Sequence, residues 1–417
     1  MRLDKLSLKN IGPFHNADIN FVNDYDEISS PPVTIITGEN GSGKTIILDA
    51  IRALFYGTQQ NKGVERIIYS DLSNFALNLS YLQDGVQKSL SAHTASSHNK
   101  HLLETNDWTI STQFNDNSRY PATWIFDYWT SKLATDSFNV TSLTAISPVG
   151  YLKNALSGTH QNVEVSKLII FFDYLKSSDS EAERETGVAL FNHLKKIISL
   201  SLNNGEFSHV SRSNLQPVIK QGGKEISLDK LSSGNLYLIQ RLVALLGQAY
   251  AVYQLNKENP QFNKDLRLIT HVPGVLMIDE AENHLHPKWQ KTFIKNILEI
   301  FPNLQIIVTT HSPFIVSSVS NANIYVCESR HDHSVISNMT DYYANMPIGE
   351  ILTTDLFKTE PFSDKISQVI ENRKNAIIEG NNALVDELEK QLVAINPQYF
   401  SFFEIDRIIQ DIKRRSV

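Results

Sequence analysis

Val33-Thr34-Ile35-Ile36-Thr37-Gly38-Glu39-Asn40-Gly41-Ser42-Gly43-Lys44-Thr45 is the stretch on which the fold turns. Its first five residues are all β-branched, which favours an extended strand, and the run breaks at Gly38 into a glycine-rich stretch. The apolar segment Ile46 to Tyr56 that follows is compatible with a helix. Strand, loop and helix in that order, around G-x-x-x-x-G-K-[ST], read as a P-loop. Glycines let backbone N–H groups wrap a phosphate chain, and the helix N-terminus adds positive potential. Lys44 then reaches the β and γ phosphates and the Thr45 hydroxyl ligates magnesium. Asn40, Gly41, Ser42, Gly43, Lys44 and Thr45 are therefore the expected nucleotide contacts.

Outward from the P-loop, the sequence supplies the other parts of such a site. Val275-Leu276-Met277-Ile278-Asp279-Glu280 is a buried-strand pattern ending in two carboxylates. Asp279 is the expected second magnesium ligand, and Glu280 the base that polarises a water attacking the γ phosphate. Gln305 to Thr309 is another buried strand, and Thr309-Thr310-His311-Ser312-Pro313 ends it where the His311 imidazole would meet the γ phosphate. Leu231-Ser232-Ser233-Gly234-Asn235 opens an apolar helix, again a hydroxyl and N–H cluster suited to an anion. His284 and His286 have no third ligand spaced nearby, so no zinc site is expected there.

Strand and helix alternate through these motifs, the mark of a parallel sheet. The first twenty residues read instead as two short strands joined at Gly12-Pro13, and Phe75 to Leu82 as a further strand, with an exposed loop over Ser91 to His101. From Ser147 to about Leu202 the apolar spacing is helical without sustained heptads, hence a helical insert and not a coiled coil. Asn323 to Val326 and Ser334 to Ser337 read as closing strands, and Ser363 to Ile378, Ala383 to Ile395 and Phe402 to Lys413 as polar helices.

Composition sets the outer bounds. A chain of 417 residues with 41% hydrophobic and 20% charged residues is globular, and its length fits two or three domains of about 150 residues. The 38 Lys and Arg against 45 Asp and Glu give a net charge of -7, so bulk charge does not draw the molecule to nucleic acid. One cysteine, Cys327, makes no internal disulfide. With no leader pattern and no apolar run near the roughly 20 residues that span a bilayer, a cytoplasmic protein without membrane contact is expected.

Taken together and in this order, the motifs resemble the ABC ATPases. The signature departs from the commonest L-S-G-G-Q at Ser233 and Asn235, and no Q-loop glutamine stands out among Gln83, Gln87 and Gln113. Asn283-His284-Leu285-His286-Pro287-Lys288-Trp289-Gln290, with the Thr-Thr-His-Ser-Pro string and Gly150 to Leu156, is similar to the prokaryotic defence branch allied to OLD nucleases and RecF, and most of all to the Septu anti-phage ATPases. The resemblance runs from the N-terminal hairpin to about Ser318. It implies an α/β ABC-ATPase head with a P-loop, a mixed sheet with antiparallel N-terminal strands, an inserted helical lobe and a small C-terminal helical region. The bounds expected are 1–145 for the first part of lobe I, 146–255 for the helical lobe, 256–345 for the rest of lobe I, and 346–417 for assembly or partner docking.

The resemblance further implies ATP and Mg2+ as ligands and a homo-oligomer of head-to-tail dimers in which Ser232 and Gly234 contact nucleotide in trans. It implies an HNH-type nuclease partner of the PtuB kind, with nucleic acid reached through that complex. No intrinsic nuclease is expected, because fewer than a hundred residues follow His331 and they lack an E…D-x-D pattern. The alternative is a DNA-binding repair ATPase of the RecF or Rad50 kind that works without a nuclease subunit. A transporter ATPase fits the motif strings less well.

Overall fold

In the computed structural model, the β-branched run forms β3 (Val33–Gly38), buried along its whole length at the centre of an eleven-stranded sheet. The structure describes residues 1–22, 33–56, 75–94, 103–105, 121–130, several positions between 132 and 158, 161–202, 205–357 and 362–403. The remaining strands are β1 (Arg2–Ile11), β2 (Phe14–Asn20), β4 (Ala76–Gln83), β5 (Val86–Thr94), β6 (Leu103–Thr105) and β7 (Ile125–Trp129). Further along come β8 (Gly205–Ser211), β9 (Gln216–Gln221), β10 (Lys224–Ser227), β11 (Gly274–Ile278), β12 (Leu304–Thr310), β13 (Ala322–Ser329) and β14 (Ser334–Asn338).

The large sheet has the order β6-β5-β4-β1-β2-β14-β13-β3-β12-β11-β7. From β13 to β7 all neighbours are parallel, whereas β1 pairs antiparallel with β2 and β4. This is the mixed α/β sheet of an ABC-ATPase head. β3 lies between β13 and β12, and in such sheets ligands bind outside the C-terminal ends of the parallel strands. The helix Lys44–Tyr56 covers the sheet there. It buries Ile47, Leu48, Ile51, Leu54 and Phe55 in one core with Leu6, Ile19, Phe126 and Met277.

A single residue pair, Ser334↔Phe14, joins β14 to β2, so the antiparallel strands need other attachments. Gln305 provides one. Its Oε1 accepts the Leu3 N–H at 2.6 Å and its Nε2 donates to the Leu3 carbonyl at 2.9 Å, so that a side-chain amide stands in for a neighbouring strand. Tyr325 provides another, its hydroxyl bonding both the N–H and the carbonyl of Asn20. Gln305→Ala orphans two buried backbone groups, each costing about 1–3 kcal/mol. A lowered unfolding midpoint in urea, with Ile307→Val much milder, is the expected result.

The inserted lobe holds the helices Asn162–Lys176, Glu181–Ser201 and Ser233–Leu255, the last buried on nearly all sides from Tyr237 to Val252. It is not wholly helical. β8, β9 and β10 form a separate three-stranded antiparallel sheet whose second hairpin turns at Gly222-Gly223, both at positive φ (+58° and +79°). The expected loop over Ser91 to His101 begins instead as strand, since β5 runs to Thr94 paired with β4 and β6, and its remainder lies outside the described residues. Two short helices, Pro287–Gln290 and Phe293–Ile300, lie between β11 and β12.

The chain divides into two compact units, Met1–Ile348 and Gly349–Val417. The second contains the helices Asp364–Ile378 and Asn382–Ile395, joined at Gly380 (φ +70°), with Asn381 capping the second through Leu384 N–H. Arg373 ties them together, donating twice to Glu389 Oε1 at 3.0 and 2.7 Å. The expected helix at Phe402 to Lys413 falls largely outside the described residues.

Candidate nucleotide site

The P-loop is shaped by close contacts that exclude side chains. At Gly38 (φ +141°) a Cβ would lie 2.1 Å from the Cys327 carbonyl, and at Gly43 (φ +99°) 2.6 Å from the Phe14 ring. The loop is thus clamped between β13 and the β1–β2 turn. Gly41 (φ +79°), by contrast, faces open space. Lys44 is 6% exposed, and its Nζ donates to the carbonyls of Gly38 (3.0 Å) and Glu39 (2.8 Å), which holds the ammonium over the loop. Burial lowers its pKa, while Cys327, Glu282, Asp279 and Glu280 oppose that shift. Ser42 Oγ is buried without a hydrogen-bond partner. A cradle of backbone N–H groups, a buried cation and an unsatisfied hydroxyl fits a phosphate chain.

Opposite stands the end of β11. Asp279 accepts from Thr45 Oγ1 at 3.0 and 3.2 Å and from Thr309 Oγ1 at 2.6 Å. Burial raises its pKa, and the bonds from Thr309 and Thr45 hold it down. Octahedral magnesium with oxygens at about 2.0–2.1 Å has adjacent ligands about 2.9 Å apart, so the Thr45 hydroxyl and Asp279 carboxylate stand at a fitting separation.

Glu280 has φ +51°, and its N–H donates to Thr309 Oγ1 at 2.9 Å. The left-handed backbone is uncommon for a residue with a Cβ and marks a site worth attention. Asn283 Nδ2 donates to Glu280 Oε2 at 2.6 Å, which orients the carboxylate.

His311 follows β12 and is partly buried. Its pKa is lowered by burial and then by Lys44, against Glu282, Glu280 and a bond to the Gly38 backbone. Lys44, Thr45, Asp279, Glu280 and His311, far apart in sequence, thus converge at the ends of β3, β11 and β12.

Ser232 and Gly234 stand apart from this group, at the start of the Ser233–Leu255 helix. Ser232 is exposed and makes no side-chain cap bond, and at Gly234 a Cβ would lie 2.3 Å from the His284 carbonyl. The Tyr237 ring packs on His284 at 5.7 Å, so the signature helix leans on the loop after β11. The exit of β7 into the lobe is held by Arg241, which is buried and donates to the carbonyls of Thr130 (3.1 Å), Lys132 (3.2 Å) and Gly158 (3.3 Å). Gln83 and Gln87 lie on β4 and β5, in the antiparallel part of the sheet, bonded to Lys88 and Asp4. Neither occupies the end of a parallel strand, and Gln113 lies outside the described residues.

Three residues outside the expected set emerge from the geometry. Thr309 links Asp279 to Glu280, Asn283 orients Glu280, and Glu282 receives the Thr310 hydroxyl (2.6 Å) and the His311 N–H (2.7 Å). Among the described residues one further cluster, His15, Asp332 and His333, brings metal-ligating atoms within 4.8 Å of one another. Its two imidazoles stack at 4.8 Å and 14°. Imidazole lone pairs lie in the ring plane, so these rings do not aim at one ion. No helix among the described residues is long and apolar enough to cross a membrane.

A P-loop faced by an acidic strand end and a histidine strand end, on a mixed sheet with an inserted lobe, defines an ABC-type ATPase head. The chain belongs to the AAA domain family, whose model matches residues 5–413. It is 25% identical over 330 residues to the Septu protein PtuA of Bacillus thuringiensis, covering 76% of this chain and 74% of that one. It is also 28% identical over 173 residues to the probable ATPase of retron Vc95 from Vibrio cholerae serotype O1 biovar El Tor. That match covers 41% of this chain and 32% of the retron protein, so the chain spans about a third of that relative's length. Among solved structures, the SMC head domain from Thermotoga maritima aligns with 81% of this chain and 99% of that one, at 17% identity and a TM-score of 0.44.

Proposed function

We propose that this chain binds and hydrolyses ATP as the ATPase subunit of a cytoplasmic anti-phage complex of the Septu kind, and that its nucleotide state controls an associated HNH-type nuclease. The observation that carries the ATPase reading is the convergence of Lys44, Thr45, Asp279, Glu280 and His311 at three adjacent strand ends. Support for the biological setting comes from the similarity to PtuA over three quarters of both chains.

In this reading the backbone of Asn40 to Gly43 and the Ser42 hydroxyl hold the phosphates, and Lys44 bridges the β and γ groups. Thr45 and Asp279 would hold Mg2+, which would supply charge neutralisation on the phosphate oxygens. Glu280 takes a proton from water as the water oxygen bonds to γ-phosphorus and the bond to the bridging oxygen breaks, releasing ADP and phosphate. Glu280 suits this role better than Glu282 because only one of its oxygens is engaged, by Asn283, whereas both oxygens of Glu282 are bonded to the end of β12. His311 hydrogen-bonds a γ oxygen and registers its presence.

Ser232 and Gly234 complete the site of a second copy in a head-to-tail dimer. Residues 1–145 and 256–345 form lobe I, 146–255 the helical lobe, and 346–417 a region for assembly or nuclease docking. The chain itself has no nuclease activity in this account, and nucleic acid is reached through the complex.

Co-purification with the product of the adjacent open reading frame tests the reading. Cleavage of DNA by the pair and not by this chain, changed about 5- to 150-fold between ATP and ADP, is the expected result. ATP-dependent, salt-sensitive DNA binding by the chain alone, unaltered by any neighbour, would instead favour a repair clamp.

A further inference from the structure

Glu282 has no task in the hydrolysis described, yet both oxygens of its carboxylate are bonded to the end of β12. Positive φ at Glu280 (+51°) and His284 (+64°) folds residues 280–285 back on themselves, with Asn283 N–H bonding the Glu280 carbonyl and Leu285 N–H the Glu282 carbonyl. Glu282 then receives the Thr310 hydroxyl on Oε2 and the His311 N–H on Oε1. Gln290 adds a second attachment, accepting from Ser312 Oγ at 2.6 Å while donating to the carbonyls of Leu285 and Glu282. The same loop touches the signature helix through His284, whose carbonyl lies against Gly234 and whose ring lies against Tyr237.

Glu282 lies within electrostatic reach of Lys44, whose pKa it helps to hold up. It makes no ion pair among the described residues, and its charge is engaged by one hydroxyl and one N–H. Bonds to an ionised carboxylate are shorter and roughly twice as strong as neutral ones. Such a grip makes the end of β12 and the 280–285 loop a single mechanical piece, so a displacement of His311 reaches the Gly234 end of the lobe through two contacts.

We infer that Glu282 is a positioning residue that fixes His311 for the γ phosphate and ties it to the loop that touches the signature helix. This rests on the reading of the site as an ATP site, and it assigns a task to a residue outside the P-loop, the acidic pair and the signature.

The test uses full-length wild type, Glu282→Gln, Thr310→Val, His311→Ala and the Glu282→Gln/His311→Ala double variant. Affinity is measured with a fluorescent ATP analogue and the chemical step by single-turnover phosphate release. For Glu282→Gln, affinity within about threefold of wild type and a release rate about 10- to 100-fold slower are expected, the cost of a misplaced group. Thr310→Val, which removes one of the two bonds, falls between. The double variant should be no slower than His311→Ala alone, because Glu282 acts through His311.

An unchanged rate in Glu282→Gln, or losses that multiply in the double variant, overturns the inference. Should Glu282→Gln fail to fold, Thr310→Val carries the same requirement of slower release and non-additivity with His311→Ala. Wild-type protein that neither binds nor hydrolyses ATP overturns the site reading and this inference with it.

Discussion

Glu280→Gln is expected to bind ATP as tightly as the wild type and to hydrolyse it about 10²- to 10⁴-fold more slowly, the range for removing a positioned general base. The substitution keeps the shape of the side chain and an oxygen that accepts from Asn283, so the left-handed turn at Glu280 and its N–H bond to Thr309 survive. What disappears is the ability to take a proton. Phosphate release in the steady state, together with the nucleotide retained after gel filtration, measures both halves of the expectation. Glu282→Gln in parallel distinguishes the two neighbouring carboxylates, because the slower of the two variants identifies the base. Turnover at the wild-type rate in Glu280→Gln would remove this residue from the proton-transfer role.

Lys44→Ala is expected to weaken ATP binding about 10²- to 10⁴-fold, since hydrogen bonds to charged groups contribute about 1.5–3 kcal/mol each and the ammonium is placed to make two. The effect should exceed that of an exposed lysine because Lys44 is 6% exposed, in surroundings where its charge is weakly screened. Lys44→Arg should rescue little, as a planar guanidinium is longer and bulkier than the compact ammonium that bonds the Gly38 and Glu39 carbonyls. Calorimetric titration with ATP decides it. Affinity unchanged in Lys44→Ala would mean that nucleotide binds elsewhere.

The residues proposed to hold the phosphates were readable because their spacing is dictated by backbone geometry within thirteen positions, between a β-branched strand and an apolar helix. Asp279, Glu280 and His311 were readable for a related reason: each ends such a strand, and parallel strands place their ends together. Gln305 was not. It sits within an apolar strand like a misplaced polar residue, and its partner Leu3 is 302 positions away.

Glu282 was visible as an acid in the Asp279–Asn283 run, but its grip on Thr310 and His311 exists only once β11 and β12 are neighbours. The β8–β10 sheet had a legible signal in Gly222-Gly223 between alternating residues, a pair that favours a tight hairpin. The helical spacing on both sides of it dominated the reading of the lobe. The antiparallel position of Gln83 and Gln87 likewise follows from pairing with β1, which no local pattern discloses.

The account stands on ATP being enclosed by the P-loop of one copy and the signature loop of another. Chemical cross-linking tests this directly, because the native thiol, Cys327, is buried and its pKa is pushed up to about 12, which keeps it unreactive. Ser232→Cys and Glu39→Cys, each made in the Glu280→Gln protein so that ATP persists, are mixed with a short bismaleimide. A covalent dimer that forms in the mixture, requires ATP and Mg2+, and is absent when either protein is treated alone is the predicted result. A mixture that yields no ATP-dependent dimer, although both proteins bind ATP, would contradict it.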